Sequence, residues 1–452
     1  MKGGEYAPPA SPPDLTGALA RFALETRAAD LPEEVVRAIR RALLDYAGVA
    51  AAGSAHPAFR AVLQTLPRGG GIGTCRLVGC SGQRTDAVHV TLANGLAAHV
   101  FDWDDTLLPA RVHLSATLFP PLLAIGEKHG LHLKKIIAAF AVAFEIQARI
   151  SRAIYPAIHQ GCWHSTAVVA PPGAAAGVGR LLGLSPEQLV HAIGLAANTA
   201  SGLMSSFGTM AKALNVGRAG AAGLHCAYLA LHGMRAHAET MGAGGYLTAF
   251  DPAPRAASLL DGLGSRWAVL ENGFKPYPCG FVAHAAIDTV RDLRRSAGQA
   301  ELAQMVVLVG PEALQLMGNG APRDALQAKF SLLYVLAVAW VLGAVTPAAF
   351  EGSALDDPAV RDAMRRIVVR AEAGRRQDSA AAEATFADGR NVSFETHHAR
   401  GTPNRPLTDA DLVEKFHAAR RGVGLGDGVA LAERILGSED MATTELTSAL
   451  AS

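Results

Sequence analysis

The stretch that most constrains the fold is residues 99–116, where polar groups are crowded between two apolar segments. It contains two histidines, three aspartates, a threonine and an arginine, namely His99, His113, Asp102, Asp104, Asp105, Thr106 and Arg111. Burying unpaired charge is costly, so these groups must pair with one another, line a cleft, or do both. Pro109 ends any helix, and the loop after it can turn Arg111 and His113 back towards the aspartates. On this stretch alone, a capped helix end with a solvated acidic turn is the simpler interpretation.

Helical patterns dominate the first half of the chain. Pro32 begins one helix, with acidic residues in its first turn and apolar residues at helical spacing after it. Ser185 begins another, because Gln188 three residues later completes a capping box. These patterns predict an all-helical domain over residues 14–265, preceded by a flexible Pro-rich tail over residues 1–13.

Several helices are too apolar to lie on a surface. Residues 171–184 and 211–231 are rich in Ala and Gly, so the helices they form can approach one another closely. Residues 136–150 and 330–345 resemble membrane spans, but both are shorter than the roughly 20 residues that a span needs. We interpret all four segments as buried helices, and no membrane interaction is expected.

The sequence changes character after about residue 265. Strands are predicted at 305–309, 366–370, 384–387 and 391–396, and helices at 282–296 and 326–342. Asp388 and Gly389, between the last two strands, are a strong hairpin signal. We therefore expect an α+β lid domain over residues 266–402 and a return to the helical domain over residues 403–452. The predicted fold class is mainly α, with a large discontinuous all-helical domain and a smaller α+β lid.

Composition excludes several kinds of partner and site. The 452-residue chain has a net charge of +1 and no basic stripe, so nucleic-acid binding has no support. Its five cysteines are scattered without a CxxC pair, which indicates neither a disulfide framework nor a zinc site. This cysteine usage fits a reducing, cytoplasmic compartment.

Two isolated residues after the polar stretch are candidates for the same site. His164 precedes an Ala/Gly-rich helical segment, and a helix N-terminus would keep its imidazole neutral and suited to act as a base. Lys212 is the only lysine or arginine between Arg180 and Arg218, and it could clamp a carboxylate. The alternatives are a satisfied core histidine and a lysine that snorkels to the surface.

Two more candidates lie in the second half of the chain. Lys275 is in a loop held by two prolines and a glycine at the expected domain junction, a place typical of a ligand-facing group. Tyr334 lies inside an apolar helical segment. Its alternative interpretation is a core tyrosine with a hydrogen-bonded hydroxyl.

Taken together, these motifs resemble the MmgE/PrpD family over nearly the whole chain. The matching segments are 102–106 with His113 after it, 161–164, Lys212, 275–278 and 329–334. The resemblance implies one cleft between a discontinuous helical domain and an α+β lid. It also implies a homodimer, a small carboxylate substrate, and no metal or organic cofactor. The shared reaction of such enzymes removes or delivers a proton next to a carboxylate.

Three positions depart from the family pattern. Leu107 stands where many relatives have His or Trp, and Phe281 stands where relatives often have a basic residue. Arg111 adds a cation before His113. Because such positions are expected to touch the substrate, the resemblance does not carry over one particular substrate.

The reaction class assigns roles to the matching residues. Holding a carboxylate and stabilising the charge that develops beside it requires cations, and Lys212, Lys275 and Arg111 are assigned to that task. A base near neutral pKa must reach the proton, and His113 and His164 qualify.

Three further residues have alternative roles. Asp102 could be the base if burial raises its pKa, or it could orient a histidine. Tyr334 or Thr106 could protonate or hold a leaving hydroxyl. We favour a dehydratase of a hydroxylated di- or tricarboxylate, but the same groups would also serve an epimerase or a decarboxylase.

Other function classes fit the sequence less well. Residues 102–105 fit the DxDD pattern of protonating terpene cyclases, but 6% aromatic residues is little for an aromatic-lined cavity that stabilises carbocations. A metal site from His99, His113 and His164 lacks ligand spacing. The departures at Leu107 and Phe281 leave open a further interpretation, an inactive binding protein on the same fold.

Overall fold

The structure is a computed structural model, and it describes residues 14–67, 73–242, 244–298, 300–437 and 440–452. The tail predicted over residues 1–13 lies outside the described residues. Within them the fold is mainly α with a smaller α+β unit, as predicted from the sequence.

Helices form most of the first half of the described chain. They are α1 Leu15–Glu25, α2 Glu33–Ser54, α3 Pro57–Thr65, α4 Ala87–His99, α5 Ser115–Lys128, α6 Leu133–Ile154, α7 Ala157–Gln160, α8 Ser165–Leu182, α9 Pro186–Ala197, α10 Met210–Leu231 and α11 Tyr246–Phe250. A two-residue antiparallel pair, β1 Cys75–Arg76 and β2 Arg84–Thr85, lies between α3 and α4. The capping box predicted at Ser185 and Gln188 begins α9.

Small residues let α4 and α10 pack against one another closely. A Cβ atom on Gly95 of α4 would lie 2.8 Å from the Cα atom of Gly217 of α10, which is closer than real Cβ contacts. This confirms the close approach predicted for the Ala/Gly-rich segment 211–231. The contact places the end of α4, at His99, beside the beginning of α10, near Lys212.

The α+β unit follows the helical region. Its elements are α12 His284–Ala297, β3 Leu302–Val309, α13 Pro311–Met317, α14 Ala325–Ala328, α15 Leu332–Leu342, α16 Pro358–Arg366, β4 Ile367–Ala371, β5 Ala380–Phe386 and β6 Asn391–Thr396. The strand order is β4-β3-β5-β6, with β3 and β4 parallel and the other pairs antiparallel. The hairpin predicted at Asp388 and Gly389 is confirmed, and Gly389 has the positive φ of 85° that this turn requires.

One predicted helix of this unit is wrong. The segment 326–342 is two helices, α14 and α15, because the chain breaks at residues 329–331. Ser331 then begins α15 by accepting a hydrogen bond from the backbone N–H of Tyr334.

The chain returns to the helical region with α17 Asp409–Arg421, α18 Val429–Leu436 and α19 Thr443–Ala451. Lys415 of α17 donates to the carboxylate of Asp45 in α2 at 2.6 Å and to the carbonyl of Trp103 at 2.6 Å, so this last segment also holds the polar stretch in place. The exact domain division at residues 265 and 402 stays a prediction.

Buried apolar residues form two cores in the described chain. One core takes residues from 15–274 and 407–450, and the other takes residues from 277–399 together with Leu108. No described helix combines the length and the apolar character needed to cross a membrane. Residues 136–150 lie in buried α6, where Arg149 pairs with Glu145 at 2.6 Å.

Candidate active site

A cavity lies where the helical region meets the α+β unit, and its wall takes residues from both. It contains about 590 Å³ of atom-free space, including the part open to solvent. Seven of the eight site residues proposed from the sequence line this cavity, namely Asp102, Thr106, Arg111, His113, His164, Lys212 and Lys275. The exception is Tyr334. The structure thus brings together residues that lie up to 173 positions apart in the chain.

The loop after α4 folds back on itself, as the sequence predicts. Leu107 and Val112 pair as an isolated bridge across the turn that contains Pro109. His113 returns to the aspartates, and its Nδ1 atom lies 2.9 Å from the carbonyl oxygen of Asp105 and 3.2 Å from Oδ2 of Asp104.

Arg111 lines the cavity but does not turn towards the aspartates, so that part of the prediction is wrong. Its Nε donates to the side chain of Gln377 at 2.9 Å, and its Nη2 lies 3.7 Å from Glu312. Both partners belong to the α+β unit. Arg111 therefore connects the helical region to that unit.

Asp102 is buried between two lysines. Its Oδ1 atom lies 2.8 Å from Nζ of Lys212 and 3.1 Å from Nζ of Lys275, and Lys275 also donates to the Asp102 carbonyl at 2.9 Å. Burial opposes ionisation, but the two ammonium groups outweigh it and hold the pKa of Asp102 well below its ordinary value. The condition under which Asp102 could be a base, a pKa raised by burial, is therefore not met. Asp102 is a fixed anion that positions the two lysines.

His99 and Asp104 extend this network, and sequence reasoning did not assign them to the site. Asp104 accepts from Nδ1 of His99 at 2.9 Å, and Nζ of Lys212 lies 2.7 Å from Nε2 of the same ring. Burial lowers the pKa of His99 to about 4, so the ring is neutral near pH 7. It carries its proton on Nδ1 and accepts from Lys212 on Nε2. The place of His99 and Asp104 in the polar stretch was the one sequence feature that pointed to them. A separation of five positions does not by itself predict the hydrogen bond between them.

His164 immediately precedes α8 and is buried. Burial, followed by the nearby Lys212 charge, holds the pKa of His164 well below its ordinary value. Its imidazole is therefore neutral, as expected from the sequence, although burial rather than the helix end is the leading cause. Its Nδ1 has no hydrogen-bond partner among the described residues. His159, which sequence reasoning missed, also lines the cavity, and burial lowers its pKa to about 4.

Two family models match the chain. The model of the MmgE/PrpD N-terminal domain matches residues 17–252, and that of the MmgE/PrpD C-terminal domain matches residues 277–429. The chain belongs to the MmgE/PrpD family. The resemblance inferred from the sequence motifs is thereby confirmed.

Curated MmgE/PrpD relatives match over most of the chain. A cis-aconitate decarboxylase of Aspergillus terreus is 27% identical over 381 residues, which cover 78% of this chain and 77% of that protein. Cis-aconitate decarboxylases of Mus musculus and Homo sapiens are 26% and 24% identical, each over 86% of this chain and over 83% and 84% of their own lengths.

Tyr334 of the MmgE/PrpD motif at residues 329–334 does not line the cavity, although Phe330 of the same motif does. The Tyr334 hydroxyl is buried and donates to the backbone carbonyl of Ala349 at 2.5 Å. Burial raises the pKa of Tyr334 to about 12. These contacts fit the alternative of a core tyrosine rather than a donor to a leaving hydroxyl.

The positions that depart from the MmgE/PrpD pattern fall in two groups. Phe281 and Arg111 line the cavity, as expected. Leu107 does not, because it is fully buried and its backbone pairs with Val112.

Strained backbone conformations lie in or near the cavity of this MmgE/PrpD protein. Among the described residues, positive φ outside glycine occurs at Asp102, Arg111 and Cys162, with values of 51°, 50° and 61°. The first two line the cavity, and Cys162 precedes His164 by two residues. Such conformations cost about 1–3 kcal/mol each and are typical of functional sites.

Four potential metal ligands also meet here. Ligand atoms of His99, Asp102, Asp104 and His113 lie within 4.8 Å of one another. However, Oδ1 of Asp102 is already neutralised by two ammonium groups, so a divalent cation would have to displace them. The donor set fits a hydrogen-bonded proton and charge network better than a metal site.

Proposed function

We propose that this protein is a lyase that acts on a polycarboxylate without a cofactor. The observation that carries the proposal is the convergence of Lys212 and Lys275 on Asp102 in a cavity wall, next to His113. Each ammonium group has three N–H donors, so both can still bind a substrate carboxylate while Asp102 holds them. Cations placed beside a reacting carbon stabilise the enolate-like charge that develops there.

His113 is the proposed proton carrier. Its Nδ1 faces the Asp105 carbonyl, the Asp104 carboxylate and the Thr106 hydroxyl, so this nitrogen carries a proton. Nε2 is then the nitrogen available for proton transfer, and it lies 3.7 Å from Oδ1 of Asp102. Asp104 fixes the ring much as a carboxylate orients a catalytic histidine in other enzymes.

Decarboxylation is the first candidate reaction. It is supported by the names of the curated relatives, which are cis-aconitate decarboxylases. In this reaction the bond to the departing carboxylate breaks, and its electron pair moves towards the carboxylate that the two lysines hold. Carbon dioxide leaves, and the carbon chain takes a proton from Nε2 of His113, which donates only when the imidazole is protonated on both nitrogens. Solvent then returns a proton to Nε2.

Dehydration, which the sequence favours, is the second candidate. The position of Tyr334 outside the cavity weakens the dehydratase candidate, because Tyr334 was a proposed donor to the leaving hydroxyl. Thr106 remains in place for the same task, with its hydroxyl 3.3 Å from Nδ1 of His113.

Proton NMR in D₂O distinguishes these reactions. The purified protein is incubated with cis-aconitate-like, citrate-like and amino- or imino-dicarboxylate acids. Deuterium incorporation with loss of carbon dioxide supports a decarboxylase, incorporation with loss of water supports a dehydratase, and incorporation alone supports an epimerase. No change in any acid would contradict the proposal and favour an inactive binding protein on this fold.

The homodimer is a separate proposal, and it comes from the family resemblance. Light scattering coupled to size-exclusion chromatography tests it directly. A mass of about 94 kDa is expected for the dimer, twice the 46.9 kDa of one chain.

A further inference from the structure

The cavity wall is divided by chemistry along the chain. Its charged and imidazole side chains all come from residues 102–275. Residues 280–330 contribute Gly280 and five apolar side chains, namely Phe281, Val282, Leu316, Met317 and Phe330. We call these five side chains the apolar wall. Among the described residues that line the cavity, none after Lys275 has a polar side chain.

The positive charge of the cavity is limited. Lys212, Lys275 and Arg111 are the cations among the described lining residues, and Asp102 cancels one of them. His159 and His164 are neutral because burial holds their pKa values low. The cavity therefore presents at most two uncompensated positive charges.

The nearby acidic groups reduce this number further. Glu312 lies 3.7 Å from Arg111 and screens that cation. Asp104 lies directly behind His113 and adds a negative charge that only a protonated imidazole would offset. A substrate with two carboxylates matches this balance, whereas a third carboxylate would have no cation of its own.

We propose that the substrate is a dicarboxylate with an apolar substituent, and that the substituent packs on the apolar wall. This inference rests on the proposed function, because it takes the cavity to be the place where carboxylates bind. A third carboxylate on the substrate would point at side chains that offer no hydrogen bond, and an ionised group left unpaired in such surroundings is costly. An alkyl group of similar size would instead be stabilised there.

A matched ligand series tests the inference. Cis-butenedioates that carry hydrogen, methyl, ethyl or propyl are compared with cis-aconitate, which carries a carboxymethyl group at the same carbon. Ethyl and carboxymethyl differ mainly by the third carboxylate. Affinity is measured by titration calorimetry at constant ionic strength, and turnover is followed by NMR.

The expected result is a Kd that falls by about fourfold for each added methylene, because each buries about the same apolar area. The ethyl compound should bind at least tenfold more tightly than cis-aconitate. Equal or tighter binding of cis-aconitate, or no trend with chain length, overturns the inference. Binding as expected without turnover would uphold the substrate class and contradict the proposed lyase, so the two failures are distinct.

A variant locates the effect on the apolar wall. Leu316 is partly buried, so Leu316→Arg places a cation there with little disturbance of the core. We expect the ratio of the Kd of the ethyl compound to the Kd of cis-aconitate to shift by at least tenfold in favour of cis-aconitate. The matched control is Phe394→Arg on strand β6, which is 36% exposed and does not line the cavity. An unchanged ratio in Leu316→Arg, with the unmodified protein showing the alkyl trend, would contradict the placement of the substituent.

Discussion

Nζ of Lys212 lies 2.8 Å from Oδ1 of Asp102, and both side chains are buried. Lys275 approaches the same oxygen from a loop 173 positions after Asp102. One carboxylate therefore compensates two buried ammonium groups. These three side chains together therefore have an excess of positive charge, which a substrate carboxylate would neutralise.

Asp102→Asn should destabilise the fold as well as abolish turnover. The substitution leaves two buried ammonium groups without their anion, and breaking a buried pair costs about 3–5 kcal/mol. Urea denaturation measures the free energy of unfolding. Asp388→Asn is the control, because Asp388 pairs with Arg390 on the exposed hairpin and its loss should change the free energy of unfolding very little. Equal stability of the two variants would contradict a shared counter-ion role for Asp102.

Lys212→Met and Lys275→Met should each lower turnover at least a hundredfold. Removing one preorganised donor to a developing negative charge commonly costs about 10²–10³ in rate. The assay is steady-state conversion of whichever acid the NMR screen identifies. Lys128→Met, at the exposed C-terminal end of α5, removes an equal charge outside the cavity and should retain full activity. Full activity in both site variants would remove the proposed carboxylate clamp.

His113→Ala should abolish deuterium exchange at the carbon beside the carboxylate. General acid–base catalysis by a positioned side chain contributes about 10²–10⁴ in rate, and His113 is the proposed carrier. The control is His89→Ala on α4, whose ring pairs with exposed Asp86. Exchange at the normal rate in His113→Ala would transfer the role to another group of the cavity, such as His164.

Tyr334→Phe should retain turnover within twofold and lower stability modestly. The change removes only the hydrogen bond to the Ala349 carbonyl, which is worth about 1–2 kcal/mol. Thermal melting and steady-state kinetics are measured on the same sample. A loss of activity of a hundredfold or more without loss of stability would instead support the role in catalysis that the sequence motif implies.

Asp105→Asn should change how stability depends on pH. Asp105 is buried where Ser115 and Asn272 donate to it, and burial, reinforced by the charge of Asp45, raises its pKa to about 7 from 3.8. The stability that the protonated form contributes is fully present below pH 3.8 and is lost as the pH rises to about 7. Asparagine does not ionise, so the Asp105→Asn variant has no such pH-dependent contribution to lose.

The stability of Asp105→Asn relative to the unmodified protein should therefore increase by roughly 4 kcal/mol between pH 4 and pH 8. Urea denaturation of both proteins across this range provides the measurement. Parallel pH profiles for the two proteins would show that the carboxyl of Asp105 ionises normally in the fold.

Local sequence patterns were sufficient for much of the fold. Ser185 with Gln188 and Asp388 with Gly389 make contacts within a few residues, so their cap and turn follow from local chemistry. The break before α15 was missed because residues 329–331 are flanked by apolar sequence that continues the helical pattern.

Most members of the candidate site were predicted from the sequence, but the contacts of Asp102, Arg111 and Tyr334 were not. Seven cavity residues could be predicted because they are polar residues in otherwise apolar sequence. Such residues need partners or a cleft. His99 and Asp104 lay in the same polar stretch, yet their contacts depend on how α4 and α10 pack.

The sequence by itself determined the helical and α+β regions, the hairpin and the family, because these depend on local periodicity and on motifs read in order. Only the tertiary structure decided that Asp102 is a fixed anion between two lysines and that Tyr334 is a core residue. The physical reason is that a pKa depends on burial and on charges brought close in space. Lys212 and Lys275 reach Asp102 from 110 and 173 positions away, and no local pattern encodes that approach.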